Sequence, residues 1–112
     1  MNNIIFIGMP AAGKSTIGVV AAKRLGYEFI DTDLLIQKRE KRLLKDIIDE
    51  KGIDGFLAIE DQINSEVEAE NAVIAPGGSV IYCDHAMRHY KEIGTVVYLQ
   101  TSFQTISERI GD

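Results

Sequence analysis

The sequence predicts a three-layer α/β/α domain with a parallel sheet, and three observations predict it. Short apolar, β-rich runs recur along the chain, segments with helical spacing separate them, and glycine-rich or acidic turns stand where the runs end. Strands that alternate with helices pair in parallel, and right-handed crossovers place the helices on both faces of the sheet.

In order along the chain, Ile4-Ile5-Phe6-Ile7 is continuously apolar and ends at Gly8, the pattern of a central strand buried on both faces. A helix over 15–25 follows, with Ile17, Val20, Ala21 and Leu25 along one face and Gly26 ending it. Tyr27 to Ile30 is a second strand, closed by Asp31-Thr32-Asp33. Leu34 to Ile36 and Leu43 to Ile48 predict two short helices with a charged joint near Arg39 to Arg42, and Gly52 marks a break. Phe56, Ile59, Ile63 and Val67 then predict a longer helix from about Asp54 to Glu70 with an acidic polar face. Ala72 to Ala75 is a third buried strand running into Pro76-Gly77-Gly78-Ser79. Asp84 is placed to cap a helix from His85 to about Ile93, Thr95 to Leu99 is the fourth strand, and Ser102 is placed to cap a final helix carrying Phe103, Ile106 and Ile110. About four strands are expected, and the P-loop NTPase type of fold argued below orders them 2-3-1-4.

The length of 112 residues suits one domain, and 46% hydrophobic with 26% charged residues is the composition of an ordinary soluble protein. The net charge of −5 argues against a polynucleotide partner. The basic run Lys38, Arg39, Lys41, Arg42 and Lys45 is interleaved with Glu40 and Asp46, which reads as a solvated helix face. A lone cysteine, Cys83, forms no internal disulfide, and no apolar run approaches the roughly 20 residues of a membrane span. These features predict a cytoplasmic protein without membrane or nucleic-acid partners; oligomeric state is not legible.

The strongest signal is Gly8-Met9-Pro10-Ala11-Ala12-Gly13-Lys14-Ser15, two glycines, a lysine and a hydroxyl at fixed spacing between a strand and a helix. Glycines let the backbone turn and approach an anion closely, and the helix that follows aims its positive end at the same spot. The expected site comprises Gly8, Ala11, Ala12, Gly13, Lys14, Ser15 and Thr16 around the phosphates of a nucleoside triphosphate, with Lys14 reaching the terminal phosphates and Ser15 ligating Mg²⁺. This defines a P-loop NTPase type of fold.

Asp31 and Asp33 stand at the end of the second strand, where ligand-contacting residues gather in open parallel sheets. One carboxylate could support Mg²⁺ while the other accepts a hydrogen bond or proton from a substrate hydroxyl; alternatively, Asp33 caps a helix beginning at Leu34. Gly77 and Gly78 follow the third strand and fall at the same edge, so they are candidate substrate contacts. His85 and His89 have the spacing of a metal pair but no third ligand, and Cys83 has no basic neighbour to activate it; both are left out of the site.

GMPAAGKSTIG, then FIDTD, then a glycine pair after a buried strand, then VVYL before a helix, together resemble the shikimate kinase family. The resemblance implies transfer of the γ-phosphoryl of ATP to a hydroxyl of a small metabolite, assisted by Mg²⁺. It implies that Lys14 stabilises the transferring phosphoryl, Ser15 and Asp31 hold the metal, Asp33 orients or deprotonates the acceptor, and Gly77 and Gly78 line the substrate pocket.

Three departures accompany it. Where the family has an arginine after a phenylalanine to grip a carboxylate, this chain has Phe56-Leu57; a three-glycine loop reads Gly77-Gly78-Ser79; and residues 1–112, taken as one domain, stop before the arginine-bearing lid and final strand that the resemblance implies. A nucleotide-binding protein without kinase activity, regulatory or degenerate, is the alternative these departures motivate.

Overall fold

Four parallel strands form one sheet in the computed structural model, which describes residues 2–8 and 11–99 and, in the first helix, the side chains from Thr16 onward. The strands are β1 (Asn3–Ile7), β2 (Glu28–Asp31), β3 (Ala72–Ala75) and β4 (Gly94–Tyr98), in the order β2-β3-β1-β4. This is the expected order, and its cause is visible in burial. The two central strands, β1 and β3, are the continuously apolar ones, and every residue of β3 is buried. The edge strands β2 and β4 keep intermediate or exposed positions throughout.

The strands are joined by α1 (Ala11–Leu25), α2 (Thr32–Glu40), α3 (Leu44–Ser65), a 3₁₀ turn (Gly78–Tyr82) and α4 (Asp84–Ile93). Alternation along the strands sorts two cores. Phe6 and Val73 point to one face, where Ile17 and Ala22 of α1 cover them. Ile5, Ile7, Ala72 and Ile74 point to the other, against Val80 and the Ala86, Tyr90 and Ile93 face of α4. A third cluster, Ile36 with Ile47, Phe56 and Ile63, fastens α2 to α3.

Several element boundaries differ from expectation. Helix α1 begins at Ala11, four residues before Ser15, because Ala11 and Ala12 are the strongest helix formers and join the first turn. The break at Gly52 is real, with φ 74° and ψ 175°, but the helical segments on either side run continuously into it, and α3 ends at Ser65, short of Glu70. Asp84 lies inside the first turn of α4 and does not cap it: Cys83 holds the cap position without a side-chain bond. Asp61 of α3 supplies the missing acceptor, taking the Ala86 amide at 2.7 Å. The basic run is no single helix face either. It straddles the corner between α2 and α3, with Lys41 left-handed at φ 56° and ion pairs Arg39–Glu66 and Arg42–Glu50 on either side. The expected final helix, with Ser102, Phe103, Ile106 and Ile110, lies outside the described residues.

The strand origins are tied by one polar side chain. Asn3 is buried, and its amide donates to the carbonyls of Ala69 (2.8 Å) and Ile93 (3.0 Å) while its oxygen accepts from the Ala72 amide (3.0 Å). One residue thereby joins the starts of β1 and β3 to the end of α4.

Candidate functional site

The strand ends build the site. Gly8, immediately after β1, has φ +96°, a conformation that favours glycine, and an added Cβ would stand 2.9 Å from the Leu99 carbonyl oxygen and 3.1 Å from the Tyr98 ring. The chain can turn there only without a side chain. Beyond it, the amides of Ala11, Ala12, Gly13 and Lys14 belong to the first turn of α1, the four that no intrahelical carbonyl satisfies. That turn contains no acidic residue, so nothing opposes the positive end of the helix dipole. A phosphate is the group this arrangement suits. Met9 and Pro10 and the side chains of Lys14 and Ser15 lie outside the described ones; Thr16 is exposed on α1.

Two strands away, Asp31 pairs with Ala75 in the β2–β3 register, so its carboxylate reaches the same edge. Its Oδ1 accepts the Asp33 amide at 3.0 Å, which makes Asp31 the N-cap of α2. The capping alternative considered for Asp33 therefore belongs to Asp31, and the helix starts at Thr32 rather than Leu34. Asp33 is released from that task. Its Oδ1 would lie 2.7 Å from a Cβ added to Gly77, so Asp33 and Gly77 are neighbours. Gly77 is buried and Gly78 exposed.

Glu60 is the residue that sequence reasoning missed. It sits in the acidic helix yet is fully buried, with Oε2 2.9 Å from the same added Gly77 Cβ. Ser79, which occupies the place of a third glycine, donates its hydroxyl to Glu60 Oε1 at 2.7 Å. Asn64 donates to the Glu60 carbonyl at 2.7 Å and accepts the Tyr90 hydroxyl, so the turn that carries Glu60 is fixed from behind. A signal was available: Phe56, Glu60, Ile63 and Val67 form one helical stripe, which puts Glu60 on the buried face.

The surroundings register the Glu60 charge. Burial first, and then Glu60, push the Cys83 thiol up to about 12, and the same two causes raise the Tyr90 phenol. Cys83 is thus a packed, inert thiol. His85 and His89 serve different partners, His85 Nδ1 lying 2.7 Å from Asp61 and His89 Nε2 2.6 Å from the Val67 carbonyl oxygen. Among the described residues no cluster of His, Cys, Asp and Glu forms a metal site, and no helix is long and apolar enough to cross a membrane.

A parallel sheet with order 2-3-1-4, a glycine turn after its central strand and, beyond it, a helix whose first turn holds no acidic residue define a P-loop type of phosphate-binding domain. Comparison with known proteins narrows the class. A family model for shikimate kinase matches residues 10–112. Shikimate kinase 2 of Photorhabdus laumondii is 39% identical over 98% of this chain and 64% of its own length, and the shikimate kinase of Persephonella marina is 39% identical over 97% of this chain and 67% of its own. Among solved structures, the shikimate kinase of Acinetobacter baumannii in complex with shikimate superposes with a TM-score of 0.84 at 31% identity, covering 99% of this chain and 63% of that one. The Aquifex aeolicus enzyme gives 0.77 at 34%, covering 98% of this chain and 66% of that one. The chain belongs to the shikimate kinase family, and it spans about two thirds of the length of these relatives.

Proposed function

We propose that this chain carries the nucleotide-binding and acceptor-binding parts of an ATP-dependent small-molecule kinase, acting in the cytoplasm. One juxtaposition supports the reading above all: the N-terminus of α1 and the neighbouring carboxylates of Asp33 and Glu60 share the carboxyl edge of one sheet.

In this reading the amides of Ala11 to Lys14 hold the phosphates of ATP, and the Lys14 ammonium neutralises charge on the γ-phosphoryl as it moves. The Asp33 carboxylate accepts the proton of the acceptor hydroxyl. The acceptor oxygen forms a bond to the γ-phosphorus as the bond from that phosphorus to the β–γ bridging oxygen breaks, releasing ADP. Ser15 and Asp31 would hold Mg²⁺; a hydroxyl and a carboxylate are the hard oxygen donors that this ion takes. When bound, Mg²⁺ would supply neutralisation of the charge that builds on the phosphates during transfer. Gly77 and Gly78 would line the acceptor pocket, and a methyl on Gly77 would collide with both carboxylates.

The test incubates the full-length gene product with ATP, Mg²⁺ and a panel of hydroxylated small molecules and follows ADP and phosphorylated product. Transfer is expected, and it should vanish in Lys14→Ala together with most ATP affinity. Binding of ATP without any transfer would favour the alternative, a nucleotide-binding protein without kinase activity.

A further inference from the structure

The phosphate turn leaves the sheet at Gly8, and β4 is the strand that carries the chain out to it. The register of β1 with β3 covers Ile4 and Ile5, whereas that with β4 runs on through Phe6 and Val97 to Ile7 and Tyr98. Past that last pair, the Leu99 amide donates to the Ile7 carbonyl oxygen at 2.8 Å. The residue just before Gly8 is therefore fixed from the β4 side.

Tyr98 extends that hold to Gly8 itself. A Cβ built on Gly8 would stand 3.1 Å from Cε1 and 3.3 Å from Cδ1 of Tyr98, so one edge of the ring lies along the bare side of this glycine. The Leu99 carbonyl oxygen, 2.9 Å from the same point, closes the space beside it. Val96, Val97 and Leu99 pack against the cores on the two faces of the sheet, whereas Tyr98 stays 49% exposed. A ring at this position serves the turn more than the core.

The turn needs such a support. Gly8 sits at φ +96°, and glycine has the widest backbone freedom of any residue, so this one conformation competes with many others. Receiving a phosphate on the amides beyond it requires that freedom to be given up, and whatever removes it before the ligand arrives raises affinity.

We infer that Tyr98 is a positioning residue of the nucleotide site: its ring holds Gly8, and through it the start of the turn, in the conformation that receives phosphate. Tyr98 sets the affinity for ATP without touching the nucleotide. The inference rests on the phosphate-binding reading of the turn and adds to it a residue from the far end of β4. Ring carbons make the contact, so the phenol hydroxyl is dispensable.

The test measures dissociation constants for ATP·Mg²⁺ and for inorganic triphosphate, which has the phosphates and no base, on the full-length gene product. Tyr98→Phe and Tyr98→Ala are compared with the parent, each checked for folding by its melting temperature; if Tyr98→Ala does not fold, Tyr98→Thr, a residue suited to a strand, takes its place. Tyr98→Phe should bind ATP within twofold of the parent. The variant without the ring should bind ATP at least tenfold more weakly and lose the same factor for triphosphate. With an acceptor that the panel identifies, its KM for ATP should rise by that factor while kcat at saturating ATP stays within threefold; without such an acceptor, binding decides alone. An unchanged affinity for ATP in a folded variant without the ring, or a loss confined to ATP and absent for triphosphate, overturns the inference and leaves the kinase reading standing. A parent that binds neither ATP nor triphosphate overturns the phosphate-binding reading and the inference with it.

Discussion

The two edges of the sheet treat polar groups in opposite ways. At the amino edge, Asn3 is buried with both its amide and its oxygen engaged, and all three bonds go to backbone. At the carboxyl edge, two carboxylates crowd one glycine, and the buried hydroxyl of Thr32, between Asp31 and Asp33, has no hydrogen-bond partner among the described residues. The amino edge is optimised for stability, whereas the carboxyl edge keeps arrangements that a purely structural protein would discard. That is the signature expected where binding chemistry competes with stability.

Substitutions at the two edges should separate activity from stability. The largest effect is expected for Asp33→Asn, which keeps shape and removes the proton acceptor: kcat for phosphoryl transfer by the full-length gene product should fall by about 10²–10⁴, with the melting temperature nearly unchanged. The converse is Asn3→Ala, which strands a buried amide and two carbonyls; unfolding free energy should drop by about 3 kcal/mol in denaturant titration, while kcat per folded molecule stays at the parent value. A variant that lost activity and stability together at either position would erase the distinction between the edges.

Smaller changes sharpen it. Asp61→Ala removes the acceptor at the start of α4 and the partner of His85, and should cost about 1 kcal/mol. Burial opposes the Asp61 charge, but the His85 hydrogen bond and the Ala86 amide outweigh it and hold the carboxyl below its ordinary 3.8. A carboxyl depressed in the folded state stabilises fully above its unfolded value and loses that contribution as pH falls through the folded one. The gap in melting temperature between parent and Asp61→Ala should therefore stand open at pH 6 and close in acid below the ordinary carboxylate range. The smallest expected effect is a gain: Thr32→Val keeps the shape, deletes the unsatisfied hydroxyl and should stabilise by about 1 kcal/mol, read as a raised melting temperature.

Strand order and the phosphate turn were legible in the sequence because each is written in consecutive residues. Ile4 to Ile7 and Ala72 to Ala75 are apolar throughout and occupy the centre of the sheet, and Gly8 takes the positive φ that a glycine there implies. What escaped depends on partners far away in the chain. Glu60 looked like one more surface glutamate, and its burial follows from Ser79 and Gly77, 19 and 17 residues on. The cap of α4 comes from Asp61, 25 residues before the amide it accepts, while the nearby Asp84 was the natural local guess. Asn3 stands just ahead of an apolar run, where nothing local distinguishes a buried amide from a solvated one. Its partners are 66 to 90 residues away.

Glu60 and Asp61 are consecutive, so the helix turns them about 100° apart: one faces the crevice and the other grips α4. Rolling α3 about its axis would therefore unseat both at once. A shift of α3 away from Gly77 would therefore pull on α4 as well, and strength added at the Asp61 clasp would be felt as stiffness beside Gly77.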